Sequence, residues 1–138
     1  MKKYAVILSG CGSKDGSEIH ESTMILLAIK QLNADYQCFS LNKNQTCVMN
    51  FITNKRMDET RNMLIESARI ARGNIKPIEE LDVNDFDGII LPGGFGAVLN
   101  LSTFGLDNNT YTVDKILEEK LIQFKGANKP ICATGIAP

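Results

Sequence analysis

Residues 88–96 read Gly-Ile-Ile-Leu-Pro-Gly-Gly-Phe-Gly, and this stretch decides the fold that we predict. Gly88–Leu91 is a short apolar run without alternation, which is typical of a strand buried on both faces of a parallel sheet. The run passes directly into Pro92-Gly93-Gly94, where the chain must turn. Two successive glycines allow unusual backbone angles and leave N–H groups that can face a crevice. The pattern fits either an oxyanion hole or an ordinary tight turn between a strand and a helix.

Other apolar runs predict further strands, and segments with helical periodicity separate them. The predicted strands are Tyr4–Leu8, Asp35–Leu41, Gly88–Leu91 and Ile131–Thr134. The predicted helices run from an N-cap at Ser17 through Leu32, over Thr60–Ala71 to a stop at Gly73, and from Val113 to a stop at Gly126. Thr46–Thr53, closed by Asn54-Lys55, predicts a small hairpin or excursion.

This order of elements predicts an α/β fold with a flavodoxin-like, doubly wound parallel sheet in the strand order 2-1-3-4. We expect residues 1–138 to form a single domain. The last predicted strand ends close to Pro138, so no helix follows it to cover the sheet. We therefore expect a sheet truncated after that strand, as in an N-terminal fragment of a longer domain.

The composition argues against several classes of protein. The 138 residues carry 15 Lys and Arg against 16 Asp and Glu, a balance unlike that of a nucleic-acid-binding surface. No apolar run approaches the length of about 18 residues that spans a bilayer, and the N-terminus lacks the apolar core of a signal peptide. We expect a cytoplasmic protein with neither a nucleic-acid nor a membrane partner.

Cysteine and histidine usage predicts neither a disulfide framework nor a metal site. The four cysteines include no C-x-x-C pair, and His20 is the only histidine. We expect at least three of the cysteines to be small buried residues.

The topology itself predicts where a ligand would bind. In an open α/β sheet, ligands bind beyond the carboxyl ends of the strands, at the point where the strand order reverses. Three segments should converge there: Ser9–Glu21, Pro92–Gly96 and Gly135–Pro138. The first of them is rich in glycine, which raises the alternatives of a phosphate or flavin loop and of a tight turn. The turn is favoured because the glycine spacing matches no phosphate motif and the nearby acidic residues would repel an anion.

Two of these acidic residues are candidates for chemistry. Glu18 and Glu21 are three positions apart, so they share one face of the first turns of a helix. Carboxylates are common in a first turn because they complement the helix dipole, and the spacing alone favours that role. The alternative is that one of them points into the crevice as a general acid or base.

Several motifs resemble those of one protein family. They are Leu8–Gly12, Asp15–Glu21, Glu59–Asn62 with Glu66–Gly73, and Leu91–Ala97 with Asn100-Leu101. These motifs are similar to those of the enhancing lycopene biosynthesis proteins, also called isoprenoid biosynthesis proteins with an amidotransferase-like domain. That family belongs to the PfpI-like branch of the class I glutamine-amidotransferase-like superfamily. The resemblance covers essentially the whole chain and implies a homodimer that converts α-oxoaldehydes to hydroxy acids without a cofactor, a glyoxalase III-like reaction.

The resemblance also implies site residues. In the family, a nucleophilic cysteine occupies a strained elbow after a strand, a helix-borne Glu tunes its thiolate, and Pro-Gly-Gly amides bind the oxyanion. Here the Glu maps onto Glu21, with Glu18 as the second choice, and the amides onto Gly93 and Gly94. The elbow departs from the family pattern Cys-Ile-Ala-Pro, because Gly135 stands where the cysteine should be.

Two residues could compensate for the missing thiol, although neither position favours it. Cys132 lies three residues upstream but should be buried within a strand, and His20 is poorly placed to orient a nucleophile. Two functions therefore stay open: an impaired glyoxalase III-like enzyme, and a silent pseudoenzyme or module that binds a small molecule or a protein. An FMN carrier is a third and weaker alternative.

Overall fold

Five parallel strands form the central sheet of the computed structural model, which describes residues 1–138. Their bounds are β1 Lys3–Ile7, β2 Asp35–Ser40, β5 Ile75–Pro77, β6 Gly88–Leu91 and β7 Ile131–Ala133. The spatial order is β5-β2-β1-β6-β7. A separate antiparallel hairpin pairs β3 Val48–Asn50 with β4 Lys55–Met57.

Helices cover both faces of the sheet. Their bounds are α1 Ile19–Gln31, α2 Met63–Ala71, α3 Gly96–Leu99 and α4 Lys115–Gly126, with 3-10 turns at Ile78–Glu80 and Val83–Asp85. Val6 and Leu8 pack on the face of α1, whereas Ala5 and Ile7 pack on the opposite face, which Leu117 and Phe124 of α4 cover. Because helices cover both faces of the sheet, residues 5–8 are apolar on both sides.

The predicted α/β fold is confirmed, as are the parallel pairing of β1 with β2 and β6 and that of β6 with β7. The hairpin also forms where Thr46–Thr53 and Asn54-Lys55 indicated it. Strand β5 was not predicted, because it is only three residues long and ends in a proline. The helix predicted over Thr60–Ala71 begins later, at Met63, because the Asn62 side chain accepts a hydrogen bond from Ile65 N and caps it there.

The prediction that the last strand is buried was wrong. Ile131 is 44% exposed and Cys132 is also exposed. The reason is that β7 is the outermost strand, paired with β6 on one side only.

The loops that follow β1 and β6 are joined by hydrogen bonds between their backbones. We call residues 8–18 the β1 loop and residues 92–95 the β6 loop. The donors Phe95 N and Glu18 N bond to Ser13 O and Gly93 O respectively, each at 2.8 Å. Gly94 has a φ of +106°, and a Cβ there would overlap backbone atoms of the β1 loop. Glycine at this position therefore permits the close approach that joins the two loops.

We expect Gly94→Ala to lower the free energy of unfolding by about 2–6 kcal/mol, because overpacking and positive-φ strain each cost about 1–3 kcal/mol. Gly126→Ala is the matched control, since no atom lies within 4 Å of the added Cβ. That control should change stability by less than about 1 kcal/mol. Urea denaturation of both variants measures the difference, and equal effects would contradict the packing argument.

Candidate functional site

The first turn of α1 is held by a carboxylate. Glu18 is the N-cap, and its Oε2 accepts a hydrogen bond from Glu21 N at 2.6 Å. The prediction that Ser17 caps this helix was wrong, because the Ser17 hydroxyl is buried and accepts from Ser9 N at 2.8 Å. The cap leaves Glu21 in the first turn of the helix, with its carboxylate against Gly93 of the β6 loop.

The Glu21 carboxylate lies against two glycines from different loops. A Cβ at Gly93 would come within 2.7 Å of Oε1 and 2.8 Å of Oε2. A Cβ at Gly135 would come within 2.9 Å and 3.0 Å of the same two oxygens. The three segments predicted to converge at the carboxyl ends of the strands therefore meet at this carboxylate.

Residues 134–138 form the elbow that follows β7. Gly135 has a φ of +58°, a left-handed conformation that suits glycine and strains other residues. Thr134 N donates to Leu91 O at 3.1 Å, and Ala137 N donates to Thr134 O at 3.0 Å, so the turn is anchored on both sides of Gly135. The elbow thus retains a sharp backbone turn, while position 135 supplies no side chain.

Thr134 was missed by the sequence analysis, although it connects all the parts of the site. Its hydroxyl donates to Glu21 Oε1 at 2.7 Å and accepts from Gly93 N at 3.1 Å. The sequence offered one signal, which is that a residue with a hydroxyl group stands directly before Gly135. This contact joins residues 113 positions apart, so no local pattern indicates it.

The two predicted oxyanion donors, Gly93 N–H and Gly94 N–H, differ in whether they already have an acceptor. Gly93 N–H is occupied by the Thr134 hydroxyl. Gly94 N–H has no acceptor within the chain, and neither has Ile136 N–H, directly after position 135. A backbone amide after the nucleophile position and another from a neighbouring loop are the usual components of an oxyanion hole. The Gly94 amide therefore suits the predicted role better than the Gly93 amide, whose role stays a prediction.

The remaining candidate residues are His20, Glu18 and Cys132, and none of them has a hydrogen bond from its side chain to the Glu21 carboxylate. The His20 side chain is 87% exposed, with Nδ1 3.9 Å from Glu18 Oε1. Glu18 serves as the cap, which agrees with the first-turn role that its spacing favoured. Cys132 pairs in register with Ile90 within the sheet and is exposed, so its predicted burial was wrong.

The glycine-rich β1 loop forms a tight turn whose amides bond within the protein. Gly10 N donates to Ser67 Oγ at 2.8 Å, Gly12 N to Ser17 O at 2.8 Å and Gly16 N to Gly12 O at 2.7 Å. Asp15 is buried, and its Oδ2 accepts from Met49 N at 2.8 Å. The loop therefore directs these donors inward rather than towards a phosphate.

An apolar cavity of about 220 Å³ flanks the elbow on its other side. Ile136, Ala137 and Pro138 line it together with Leu91 and residues of α3 and α4, but Glu21 does not. The cavity thus adds hydrophobic surface beside the elbow and no further charged group. No cluster of three or more His, Cys, Asp or Glu side chains is arranged to hold a metal ion, and no helix has the length and apolarity needed to cross a bilayer.

The comparisons with known proteins place the chain in a family. No protein-family model matches it. It is 43% identical over 137 residues to the mitochondrial ES1 protein homolog of Rattus norvegicus and to the mitochondrial glutamine amidotransferase-like class 1 domain-containing protein 3 of Homo sapiens. An isoprenoid biosynthesis protein with an amidotransferase-like domain from Ehrlichia chaffeensis superposes with a TM-score of 0.95 at 39% identity. The chain belongs to this amidotransferase-like family.

The matches cover nearly all of this chain but only part of each similar protein. The alignments cover 99% of this chain but 52% and 51% of the rat and human proteins, and the Ehrlichia match covers 100% of this chain and 63% of the other. The chain therefore spans about half the length of these curated relatives. A DJ-1 superfamily protein from Agrobacterium tumefaciens, 11% identical with a TM-score of 0.50, shares the fold alone.

The cysteines of this family member differ in environment. Cys38 is buried, and this burial raises the pKa of its thiol to about 12. Burial, followed by the nearby Glu66 carboxylate, also raises the pKa of the half-buried Cys11. Since Cys47 is half-buried and Cys132 exposed, the expectation of at least three buried cysteines was wrong.

We expect iodoacetamide at pH 8 to alkylate Cys132 first and to leave Cys38 unmodified in the folded protein. The thiolate is the reactive form, so a pKa near 12 and burial both protect Cys38. Peptide mass spectrometry against time measures the order, and unfolding in urea should expose Cys38 as the positive control. Early labelling of Cys38 in the folded chain would contradict the structure.

Proposed function

We propose that this chain carries a glyoxalase III-like site for α-oxoaldehydes that is impaired because position 135 lacks a thiol. The observation that supports it is the Glu21 carboxylate, whose oxygens lie 2.9 and 3.0 Å from the point where a residue-135 Cβ would sit. A side chain on the elbow would therefore start beside the acid-base residue that the reaction needs. The unpartnered Gly94 amide supports the same proposal as a donor to an oxyanion.

The proposed reaction needs no cofactor because it is an internal redox exchange. A thiolate at position 135 adds to the aldehyde carbon, and the resulting oxyanion accepts hydrogen bonds from the backbone amides. Glu21 removes the proton from that carbon and returns it to the neighbouring carbonyl carbon, so the first carbon is oxidised and the second reduced. Water then cleaves the thioester, which releases the hydroxy acid and the thiol. Without the thiol the first bond cannot form, and Gly135 leaves the site silent.

A module that binds a small molecule without converting it is the second candidate. Glu21 Oε2 and Gly94 N–H have no partners within the chain, so the crevice offers an acceptor and a donor. A ligand with a hydroxyl group next to a carbonyl or carboxylate oxygen complements that pair. This alternative requires the crevice but none of the covalent chemistry.

We expect Gly135→Cys to introduce measurable conversion of methylglyoxal to lactate, whereas the unsubstituted chain shows none. Gly135→Cys combined with Glu21→Gln should lose the gain, because the carboxylate no longer accepts the proton. Gly135→Ala is the matched control, since it adds the same Cβ and the same strain without sulfur. Methylglyoxal loss and lactate formation, measured for all four proteins between pH 6 and 9, test the proposal.

Each outcome of that comparison has a distinct meaning. Robust turnover by the unsubstituted chain would contradict the impairment and direct attention to Cys132. A folded Gly135→Cys protein without turnover would contradict the glyoxalase III-like proposal and favour the binding module. Binding of methylglyoxal without turnover, followed by NMR, would distinguish that module from an empty crevice.

We also propose that the chain forms a homodimer in the cytoplasm and has no nucleic-acid or membrane partner. The exposed apolar residues of α1, Met24 and Leu27, together with the exposed edge strand β7, support self-association. The four free cysteines suit a reducing compartment. The names of the rat and human relatives assign those proteins to mitochondria, so imaging of the tagged chain is needed to decide its compartment.

We expect sedimentation equilibrium at high protein concentration to give a mass near twice 15.2 kDa. Met24→Lys with Leu27→Lys should shift the equilibrium towards the monomer if α1 forms the contact, while Ile52→Lys at the exposed hairpin serves as a control. A monomeric unsubstituted chain at every concentration would contradict self-association.

A further inference from the structure

A polarised chain of hydrogen bonds ends on Glu21. Gly93 N–H can only donate, so the Thr134 hydroxyl oxygen accepts from it at 3.1 Å. The hydroxyl proton is then free to point at Glu21 Oε1, which lies 2.7 Å away. The backbone amide thereby sets the direction of both bonds, and Oε1 is an acceptor.

Thr134 is itself held in place, which makes this direction a fixed property of the elbow. Its backbone N–H donates to Leu91 O at 3.1 Å, so the end of β6 anchors the residue that precedes Gly135. The Glu21 carboxylate lies between Gly93 and Gly135, with both oxygens within 3.0 Å of the point where a Cβ would stand on either glycine. Oε2 has no partner within the chain and is the oxygen left for an incoming group.

We propose that Thr134 is a positioning residue, which holds Glu21 as a hydrogen-bond acceptor directly over the vacant position 135. The inference rests on the proposed function for its chemistry, since it concerns the same carboxylate. It adds that a group meeting Glu21 must donate, as the hydroxyls of a hydrated α-oxoaldehyde do and a free carbonyl oxygen does not. It also implies that a thiol placed at 135 meets an acceptor and stays protonated to higher pH.

Few titratable side chains lie on the elements that meet at Glu21, and those of the β1 loop, besides Glu18, are Cys11, Lys14 and Asp15. Glu18 and His20 are the other titratable side chains on the adjoining turns of α1. The β6 loop and the elbow carry no titratable side chain, and Cys132 is the only one in β7. All of these remain constant when Thr134 alone is changed, and Cys132→Ser removes the thiol that would complicate labelling.

The test measures the pH midpoint of alkylation of the thiol introduced by Gly135→Cys, in the whole chain carrying Cys132→Ser. Replacing Thr134 by Val keeps the shape but removes the hydroxyl, and the midpoint should fall by about one pH unit as the acceptor is released. Thr134→Ser retains the hydroxyl and should leave the midpoint unchanged. Cys11 in the same samples provides an internal reference that should not shift.

Amide NMR spectra confirm that each variant is folded, and they also report the Gly93 N–H, whose signal should move with Val and not with Ser. An unchanged midpoint in a folded Thr134→Val protein would overturn the inference, as would equal shifts with Val and Ser. The result is separate from turnover, because the alkylation midpoint requires no conversion of methylglyoxal. The proposed function can therefore fail while this inference holds, and the reverse is equally measurable.

Discussion

The β1 and β6 loops approach each other so closely that only glycine fits between them, and the geometry of the whole crevice depends on that contact. A Cβ at Gly94, or at Gly96 directly after the β6 loop, would overlap atoms of the β1 loop. Hydrogen bonds between the loop backbones then set the start of α1 relative to the end of β6. The position of Glu21 follows, because it lies in the first turn of a helix whose N-cap, Glu18, donates its N–H to Gly93 O of the β6 loop. A buried Asn100 adds to the same unit, since its Nδ2 donates to Ser9 O and Asp15 O, both at 2.8 Å.

The elbow keeps its backbone geometry without a side chain at position 135. The positive φ of Gly135 and the anchored backbone around it are properties of the turn, and they need no sulfur. The carboxylate lies against the two glycines and is satisfied by Thr134 on one oxygen. The crevice therefore combines this carboxylate with two backbone N–H groups, those of Gly94 and Ile136, that have no acceptor within the chain.

Much of the fold was predictable because short apolar runs such as Gly88–Leu91 have few alternatives to burial between two helical layers. Glu21 and the glycine turns could be located because the carboxyl ends of parallel strands meet at one edge. The role of Thr134 could not, because it arises from a contact across 113 residues that only the folded chain creates. Burial of β7 was wrongly predicted since an apolar sequence does not reveal whether a strand is central or at an edge. Serine is a residue type that suits an N-cap, so the sequence predicts Ser17 there. The Glu18 carboxylate instead accepts from Glu21 N, and the Ser17 hydroxyl accepts from Ser9 N within the β1 loop.

The position of the Glu21 carboxylate limits which residues position 135 can accommodate. Position 135 carries no side chain, and the Glu21 carboxylate lies beside the space that one would occupy. Introducing a side chain there is unfavourable for two reasons. Its Cβ would lie about 3 Å from both Glu21 oxygens, and the backbone of residue 135 itself has a positive φ. The Glu21 carboxylate must therefore shift before residue 135 can carry a Cβ, and the positive φ adds backbone strain of about 1–3 kcal/mol. Substitutions at position 135 and at Glu21 are therefore expected to be coupled, so that their effects on stability do not add.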